Sequence, residues 1–358
     1  MGTVAIVGPG SGGTAVAVDL ALLGHEVRVW GRNEDKVAPL AKEDIRLEGV
    51  GRAGTARVAL ATTDLEAAVK GCDLVFVTVP GFAHSEIARA LARELASGQA
   101  VVLMPASFGS FEVVRALHEQ GKDGVLVGET ATLPYGARRP SPTHVIVPLR
   151  AARLPLGVFP GARCDELVEL ARDYYEVIEP TSTLLDAGLL NPNVPIHTAL
   201  MATNAGPIEA FDAYDIHAQG TTEATRRVID ALDAERITLR EALGYGPPHF
   251  EQSTFYDAER QGEGLFGPAA RDLVEKSGEW KEKLSLQHRY VTEDAAQGLS
   301  LHVSLGEALG VDVPISRGVL HLNHVLSGLD FAPQRTLGTL GLDGYGGDDL
   351  NRLLMHGW

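Results

Sequence analysis

The stretch Thr3-Val4-Ala5-Ile6-Val7-Gly8-Pro9-Gly10-Ser11-Gly12-Gly13 decides the fold of this 358-residue chain. An apolar strand pattern runs into a glycine-rich turn, and helical spacing follows from Thr14 to Leu22. In such a turn the first glycine allows a tight bend, the second admits a pyrophosphate, and the third permits close helix–strand packing. Backbone amides at the helix start then hold phosphates. This context predicts a dinucleotide-binding unit with cofactor contacts at Gly8, Gly10, Ser11, Gly12 and Gly13.

Short apolar runs alternate with helical spacing through the first half of the chain. Because crossover helices bury both faces of a parallel sheet, this alternation predicts a doubly wound α/β Rossmann domain. Strands are expected at Thr3–Val7, Glu26–Trp30, Arg57–Ala61, Leu74–Val79, Ala100–Met104 and Val125–Gly128. Two interpretations of Gly136–Pro160 stay open: continuation of the sheet through His144–Pro148 and Leu156–Val158, or a hairpin excursion over the active-site face. Val177-Ile178 is expected as a last short strand.

Long helical patterns dominate after about Thr183. Thr222–Leu243 shows apolar residues at helical spacing with charges on the other face, and Asp294–Leu309 and Pro314–Leu329 are further expected helices. A chain of this length favours two domains. We therefore expect a dinucleotide-binding Rossmann domain over residues 1–182 and an all-helical substrate and dimerisation domain over residues 183–358, with a homodimer as the assembly.

Composition excludes several classes of function. The formal charge of −16 argues against nucleic-acid binding, which needs basic surface. No apolar run approaches the length of about 20 residues that a membrane span needs, and the start lacks a signal-peptide pattern. Cys72 and Cys164 fit neither a disulfide framework nor a metal spacing, and His321 and His324 have no third ligand at metal-site spacing. We expect a cytoplasmic protein without a metal.

The choice of dinucleotide is expected at the end of the second strand, Trp30-Gly31-Arg32-Asn33. An acidic residue there binds the ribose 2′-hydroxyl, whereas an arginine accommodates a 2′-phosphate. With Arg32 present and no acid before Glu34, NADP is favoured over NAD, and Arg32 and Asn33 become candidate cofactor contacts. The alternative is that Arg32 stacks on adenine or points to solvent.

Further candidate contacts follow the later strands of the predicted sheet. Val79 and Pro80 close one strand, and Glu129 follows another, at the carboxyl edge where ligands of such folds bind. Proline after a strand is equally an ordinary stop signal. Val79, Pro80 and Glu129 are therefore predicted as cofactor contacts, with a purely structural role as the alternative.

Two segments of the second half stand out: Asn191-Pro192-Asn193-Val194-Pro195-Ile196-His197, and Arg289-Tyr290-Val291-Thr292-Glu293-Asp294. With spacings N-x-N-x-x-x-H and R-Y-x-x-E-D, they resemble the opine dehydrogenases, the octopine and nopaline dehydrogenase family, with its 6-phosphogluconate-dehydrogenase-like C-terminal domain. The resemblance covers nearly the whole chain. It implies reductive condensation of an amino acid with a 2-oxo acid, using a nicotinamide cofactor.

The resemblance also implies roles for particular residues. His197 would donate a proton or polarise the substrate, Asp294 would pair with it, and Arg289 would bind a substrate carboxylate; Asn191, Asn193 and Asn204 are candidate substrate contacts. The chemistry agrees, since a reduced imine needs a proton near neutral pH, which histidine supplies. Asp294, near a helix start, is expected to be favoured as a carboxylate by the helix dipole and to favour imidazolium at His197.

Two other functions remain as alternatives. Ketopantoate, glycerol-phosphate and 3-hydroxyacid reductases share the N-terminal architecture but usually place a catalytic lysine after it, and this chain has no lysine between Lys122 and Lys276. A nonenzymatic NADP-binding sensor need not keep His197, Arg289 and Asp294 together. Both alternatives are therefore less favoured than an opine dehydrogenase.

Overall fold

The computed structural model contains two compact units, Met1–Gly188 and Leu189–Trp358. It describes residues 1–268, 270–329 and 334–358. The first unit extends beyond residue 182 because the helix Leu184–Leu189 packs closely on it: a Cβ added at Gly188 would lie 2.7 Å from the backbone nitrogen of Phe108. Within the described ranges, no helix is both long and apolar enough to span a membrane.

The first unit is built on an eight-stranded sheet of order β12-β11-β8-β7-β6-β1-β2-β5. All neighbours pair in parallel except β11 with β8, which pair antiparallel. This confirms the predicted Rossmann fold. The strands of the chain are β1 Thr3–Val7, β2 Glu26–Trp30, β3 Ile45–Gly49, β4 Gly54–Ala56, β5 Leu60–Thr62, β6 Leu74–Val77, β7 Ala100–Leu103, β8 Leu126–Thr130, β9 Tyr135–Ser141, β10 His144–Arg150, β11 Leu154–Phe159, β12 Ile178–Pro180, β13 Tyr214–Asp215 and β14 Lys281–Glu282.

A second sheet, of order β4-β3-β10-β9, corrects part of the predicted strand pattern. Of the two interpretations left open for Gly136–Pro160, the hairpin holds around His144–Pro148, which pairs with β9 and, in parallel, with β3. The continued sheet holds for Leu156–Val158, which is part of β11. The strand expected at Arg57–Ala61 is instead β5, Leu60–Thr62. Strand β3 has no counterpart among the sequence predictions, although its alternation of apolar and charged residues is the pattern of a half-buried strand.

In the second half of the chain, helices lie where the helical spacing of apolar residues predicted them. The helices of the whole chain are α1 Ser11–Leu22, α2 Glu34–Lys42, α3 Leu65–Val69, α4 His84–Glu94, α5 Ser110–His118, α6 Cys164–Arg172, α7 Leu184–Leu189, α8 Asn193–Thr203, α9 Ala205–Ala210, α10 Glu223–Ala242, α11 Ala270–Ser277, α12 Ser300–Leu309, α13 Pro314–Ser327 and α14 Gly347–His356. A π-helix, Tyr290–Leu299, leads directly into α12. In the second unit a two-residue antiparallel pair, β13 with β14, interrupts the helical pattern.

A buried polar network fastens the second sheet to α1. The Asp19 carboxylate of α1 is fully buried and accepts from Arg52 Nε at 2.9 Å and Arg150 Nη2 at 3.2 Å. Tyr135, the first residue of β9, donates its hydroxyl to the same carboxylate and lies 3.1 Å from the hydroxyl of Tyr175. Because a buried carboxylate is stable only when paired, this network determines where the β9–β10 hairpin sits against α1.

Candidate active site

The glycine loop has the geometry that a dinucleotide requires. Gly8 has φ of +110°, a conformation that side chains rarely adopt, and a Cβ at Gly13 would lie 2.0 Å from the carbonyl oxygen of Gly8. At Gly10 an added Cβ would meet no atom within 4 Å. Helix α1 begins at Ser11, its first turn contains no acidic residue, and among the described residues no side chain caps it. These residues fit the phosphates of a dinucleotide, whose oxygens the first-turn amides can bind.

The residues that follow β2 have different environments. Arg32 is exposed and forms an ion pair with Glu86, at 3.0 Å between Nη1 and Oε2. Asn33 caps α2, because its Oδ1 accepts from the backbone nitrogen of Asp35 at 2.8 Å. The side chain of Asn33 therefore has a structural partner, while the guanidinium of Arg32 is exposed to solvent beside a carboxylate.

Two of the residues predicted to contact the cofactor at the ends of later strands have different positions. Val79 lies beside the glycine loop, whereas the side chain of Glu129 is buried. A Cβ at Gly8 would lie 2.9 Å from Val79 Cγ1, and Pro80 precedes a short 3₁₀ turn, Gly81–Ala83. Glu129 is fully buried in β8 and accepts from Phe108 N at 2.7 Å and from Ser110.

The carboxylate of Glu129 holds the segment that follows β7. That loop contains Ser107 and Phe108 at φ of +48° and +65°, which is strained for residues with side chains. Both oxygens of Glu129 accept hydrogen bonds from this loop, which stabilises the strained backbone. Glu129 therefore has a structural role in this loop, and its contact with a cofactor stays a prediction.

In the second unit the structure brings together His197 and Asp294. His197 lies on α8 and Asp294 on the π-helix, and His197 Nδ1 lies 2.7 Å from Asp294 Oδ2. Both side chains are 13% exposed. Because Nδ1 is engaged by the carboxylate, the other ring nitrogen, Nε2, is the atom that can exchange a proton with a substrate.

Burial changes the expected charge state of Asp294. It raises the pKa of this carboxyl to about 7, although the positive charge of Arg289 lowers it. Loss of water at this buried position therefore opposes the effect that a helix dipole is expected to have on the carboxyl. Because the carboxyl and the imidazole lie 2.7 Å apart, the protonation of one group depends on that of the other.

Aromatic and imidazole rings surround His197. Its ring stacks on Tyr290 with centroids 3.6 Å apart, and Tyr290 Oη lies 3.1 Å from His217 Nε2. The ring of His288 meets Tyr290 edge-on at 4.4 Å. Tyr290 could have been found from its place in the Arg289–Asp294 segment. His217 carried no local signal, because only tertiary packing brings it to this cluster.

Arg289 does not contact Asp294; it forms an ion pair with Glu293, at 3.0 Å between Nη2 and Oε2. The Arg289 side chain is 62% exposed, whereas Glu293 is 16% exposed. Burial raises the pKa of Glu293, and the charge of Arg289 lowers it. Arg289 therefore presents an exposed guanidinium one helical turn from a partly buried carboxyl, with donors left to bind an anion.

The three candidate asparagines differ in what their amides already bind. Asn191 is buried, and its Oδ1 accepts from Asn193 N at 3.0 Å at the start of α8. Asn204 is also buried; its Nδ2 donates to Leu200 O and its Oδ1 accepts from Tyr214 Oη at 2.8 Å. Both therefore make structural hydrogen bonds, and their contact with a substrate stays a prediction. Asn193 is half-buried, one helical turn before His197.

Within residues 1–268, 270–329 and 334–358, no group of three or more histidine, cysteine, aspartate and glutamate side chains is arranged to hold a metal ion. His321 and His324 stack with ring centroids 6.3 Å apart on α13.

Known proteins match both halves of the chain. The family model for NAD/NADP octopine/nopaline dehydrogenase, alpha-helical domain, matches residues 180–327, and that for ketopantoate reductase PanE/ApbA matches residues 4–160. An opine dehydrogenase of Arthrobacter sp. (strain 1C) is 30% identical over 355 residues, 96% of each chain. Two solved structures share the fold: octopine dehydrogenase with NADH and pyruvate (TM-score 0.72, 18% identity, 99% and 98% of the two chains) and NADP⁺-bound yersinopine dehydrogenase (TM-score 0.66, 16% identity, 99% and 98%).

Proposed function

Because this chain belongs to the opine dehydrogenase family, we propose that it joins the amino group of an amino acid to the carbonyl carbon of a 2-oxo acid. It is an NAD(P)-dependent oxidoreductase that acts on a CH–NH bond and takes small-molecule substrates. The family model for ketopantoate reductase matches only residues 4–160, the dinucleotide-binding half. This match therefore gives no support to a carbonyl reductase activity. The product would be an N-(1-carboxyalkyl)-amino acid.

The glycine loop and the residues beside it would hold the cofactor. Amides of Ser11, Gly12 and Gly13 are available at the start of α1, and Val79 packs against Gly8 of the loop. When bound, the nicotinamide supplies the hydride that reduces the imine carbon. The loop itself contributes binding and orientation, through backbone donors that need no side chain.

The His197–Asp294 contact is the observation on which this proposal depends. His197 would protonate the nitrogen of the reduced imine through Nε2, and Asp294 would hold the ring in place and stabilise its charged form. Tyr290, stacked on the His197 ring, limits its rotation. The reverse, oxidative reaction needs the deprotonated pair, so the two directions should have opposite pH dependence.

Arg289 and Asn193 would bind the substrates. The planar guanidinium of Arg289 matches a carboxylate, a group that both an amino acid and a 2-oxo acid carry. Asn193 lies one turn before His197 on α8, and its amide can both donate and accept a hydrogen bond. Glu293 keeps the Arg289 guanidinium in position while leaving part of it exposed.

The proposed reaction can be tested with NADPH and pyruvate across a panel of amino acids. We expect cofactor oxidation that requires both substrates, and mass spectrometry should identify an N-(1-carboxyethyl)-amino acid. Pyruvate alone and amino acid alone are the controls. Equal oxidation with pyruvate alone, yielding lactate, would instead indicate a carbonyl reductase.

We further propose a preference for NADPH over NADH, supported by Arg32 and by the absence of an acid at residues 31–33. Replacing Arg32 with alanine should weaken NADPH binding about tenfold and NADH binding less than twofold, since a charged hydrogen bond is worth about 1.5 kcal/mol. Glu86→Gln should strengthen NADPH binding, because it frees Arg32 and removes a repulsive charge. Fluorescence titration measures both affinities; an equal effect of Arg32→Ala on the two cofactors would refute the preference.

Asp294 should control the pH dependence of the reaction. A carboxylate beside an imidazole raises its pKa by about 1 to 3 units, so Asp294→Asn should lower the pKa of His197. Since the reductive direction needs protonated His197, its kcat should then fall at a pH about 1 to 3 units lower than in the unchanged enzyme. Profiles of kcat against pH for Asp294→Asn and for the unchanged enzyme measure this. An unshifted profile would exclude a role for Asp294 in setting the pKa of His197.

We also propose that the protein is a homodimer in the cytoplasm. Exposed apolar side chains on one helix, Ile315, Leu322 and Val325 of α13, support association through the second unit. The free cysteines Cys72 and Cys164 are compatible with a reducing compartment. Light scattering on a chromatography column would determine the oligomeric state; a monomer at micromolar concentration would exclude the dimer.

A further inference from the structure

Arg139, which belongs to none of the predicted sites, has its guanidinium directly against the glycine loop. Arg139 of β9 donates through Nη1 to the carbonyl oxygen of Pro9 at 2.7 Å and lies 3.3 Å from Thr14 Oγ1. Leu133, a few residues earlier, covers the next position of the loop: a Cβ at Gly12 would lie 2.8 Å from Leu133 Cδ1. The segment from Leu133 to Arg139 therefore covers one side of the phosphate-binding turn.

The charge of Arg139 has no counter-charge among the described residues. Both of its hydrogen-bond acceptors, Pro9 O and Thr14 Oγ1, are neutral. Burial lowers the pKa of Arg139, and no acidic group opposes that effect. Arginine nevertheless stays protonated at physiological pH, and a guanidinium has five N–H donors of which one nitrogen is engaged here. A half-buried charge without a counter-ion is unfavourable, so this position favours an anion.

The loop beneath Arg139 favours the same kind of ligand. The first turn of α1 contains no acidic residue, and the space above Gly10 is open within 4 Å. The positive end of the helix dipole lies at this turn, where its amides point outward. A backbone site for anions and an arginine without a carboxylate partner thus meet at one place.

Arg139 is also held in position before any ligand binds. Tyr135, at the start of the same strand, donates its hydroxyl to the buried Asp19 of α1, and Arg150, at the end of β10, donates to the same carboxylate. Both strands of the hairpin are therefore fixed to the helix that carries the glycine loop. A pre-positioned donor loses little conformational entropy on binding, which favours affinity.

We propose that Arg139 binds a phosphate group of the dinucleotide cofactor, adding a side-chain charge to the backbone amides of the glycine loop. This inference depends on the proposed function, since it requires that the first unit binds a nicotinamide dinucleotide. Two kinds of phosphate site are available on such a cofactor, the pyrophosphate common to NADH and NADPH and the 2′-phosphate of NADPH alone.

The test is direct binding measured by calorimetry with NADH, NADPH and ADP-ribose. Arg139→Gln should weaken binding by about ten- to a hundredfold, the effect of losing a charged hydrogen bond to phosphate. Arg139→Lys keeps the charge without the planar fork and should restore part of the affinity. Arg46→Gln is the matched control: it removes the same charge from β3 of the same sheet, where Arg46 is exposed and paired with Glu48, and should leave binding unchanged.

The pattern of losses identifies the phosphate. Equal weakening for NADH, NADPH and ADP-ribose assigns Arg139 to the pyrophosphate, and weakening for NADPH alone assigns it to the 2′-phosphate. Adenosine, which has no phosphate, should bind the variant as it binds the unchanged protein; an equal loss with adenosine overturns the proposal, because Arg139 would then shape the loop. The proposal is also overturned if folded Arg139→Gln binds every dinucleotide with an affinity within about twofold of that of the unchanged protein. If Arg139→Gln does not fold, the same comparison of ligands is made with Arg139→Lys and is interpreted in the same way.

Failure of the unchanged protein to bind any dinucleotide would instead refute the proposed function.

Discussion

Replacing His197 with asparagine is expected to lower kcat by about a hundred- to ten-thousandfold, the range that a positioned general acid contributes. The amide of asparagine can still form a hydrogen bond with Asp294, but it cannot supply a proton near neutral pH. The loss should appear in both directions of the reaction. Steady-state kinetics at saturating amino acid, 2-oxo acid and NADPH measure it.

Two controls separate chemistry from folding and cofactor binding. The affinity for NADPH should be unchanged in His197→Asn, because the cofactor contacts proposed above are made by the glycine loop and not by His197. His321→Asn, at an exposed position of α13, makes the same substitution away from the candidate site and should retain full activity. A kcat within about tenfold of the unchanged enzyme would show that His197 is not the proton donor.

Replacing Asp19 with alanine should destabilise the first unit by about 3 to 5 kcal/mol, as expected when one partner of a buried ionic network is removed. The carboxylate is fully buried and binds Arg52, Arg150 and Tyr135. Its loss leaves two guanidinium groups and a buried hydroxyl without their acceptor. Urea denaturation followed by circular dichroism measures the free energy of unfolding.

Matched variants distinguish the charge of Asp19 from its shape. Asp19→Asn keeps the volume and one acceptor oxygen, so it should destabilise less than alanine does. Tyr135→Phe removes a single hydroxyl of the network and should cost about 1 to 3 kcal/mol. A loss below about 1 kcal/mol for Asp19→Ala would show that the two arginines are adequately solvated without it.

Features carried by neighbouring residues could be predicted from the sequence. The turn from Gly8 to Gly13 requires particular residue types at fixed spacing, so the Rossmann strand–loop–helix was evident without a structure. The pairing of His197 with Asp294 followed from two segments that resemble one family, and the structure brings these residues together at 2.7 Å. Their local pattern is what made both predictions possible.

Features that join distant parts of the chain could not be predicted in this way. Arg139 and Pro9 are 130 positions apart, and Tyr135 and Asp19 are 116 apart. Asp19 lies in an apolar helical run, where no spacing rule indicates its partners. Glu129 was assigned to the cofactor from its place at a strand end, yet packing turns it toward the loop at Phe108 and Ser110.

By itself the sequence predicted that a strand, a glycine loop and a helix form a dinucleotide site, and its resemblance to one family predicted that His197 pairs with Asp294. Only the tertiary structure decided how those groups are charged and supported: burial raises the pKa of Asp294 to about 7, and the β9–β10 hairpin brings Arg139 to the glycine loop. The reason is physical. Residue types and local spacing are written along the chain, whereas desolvation and long-range contacts exist only once the chain has folded.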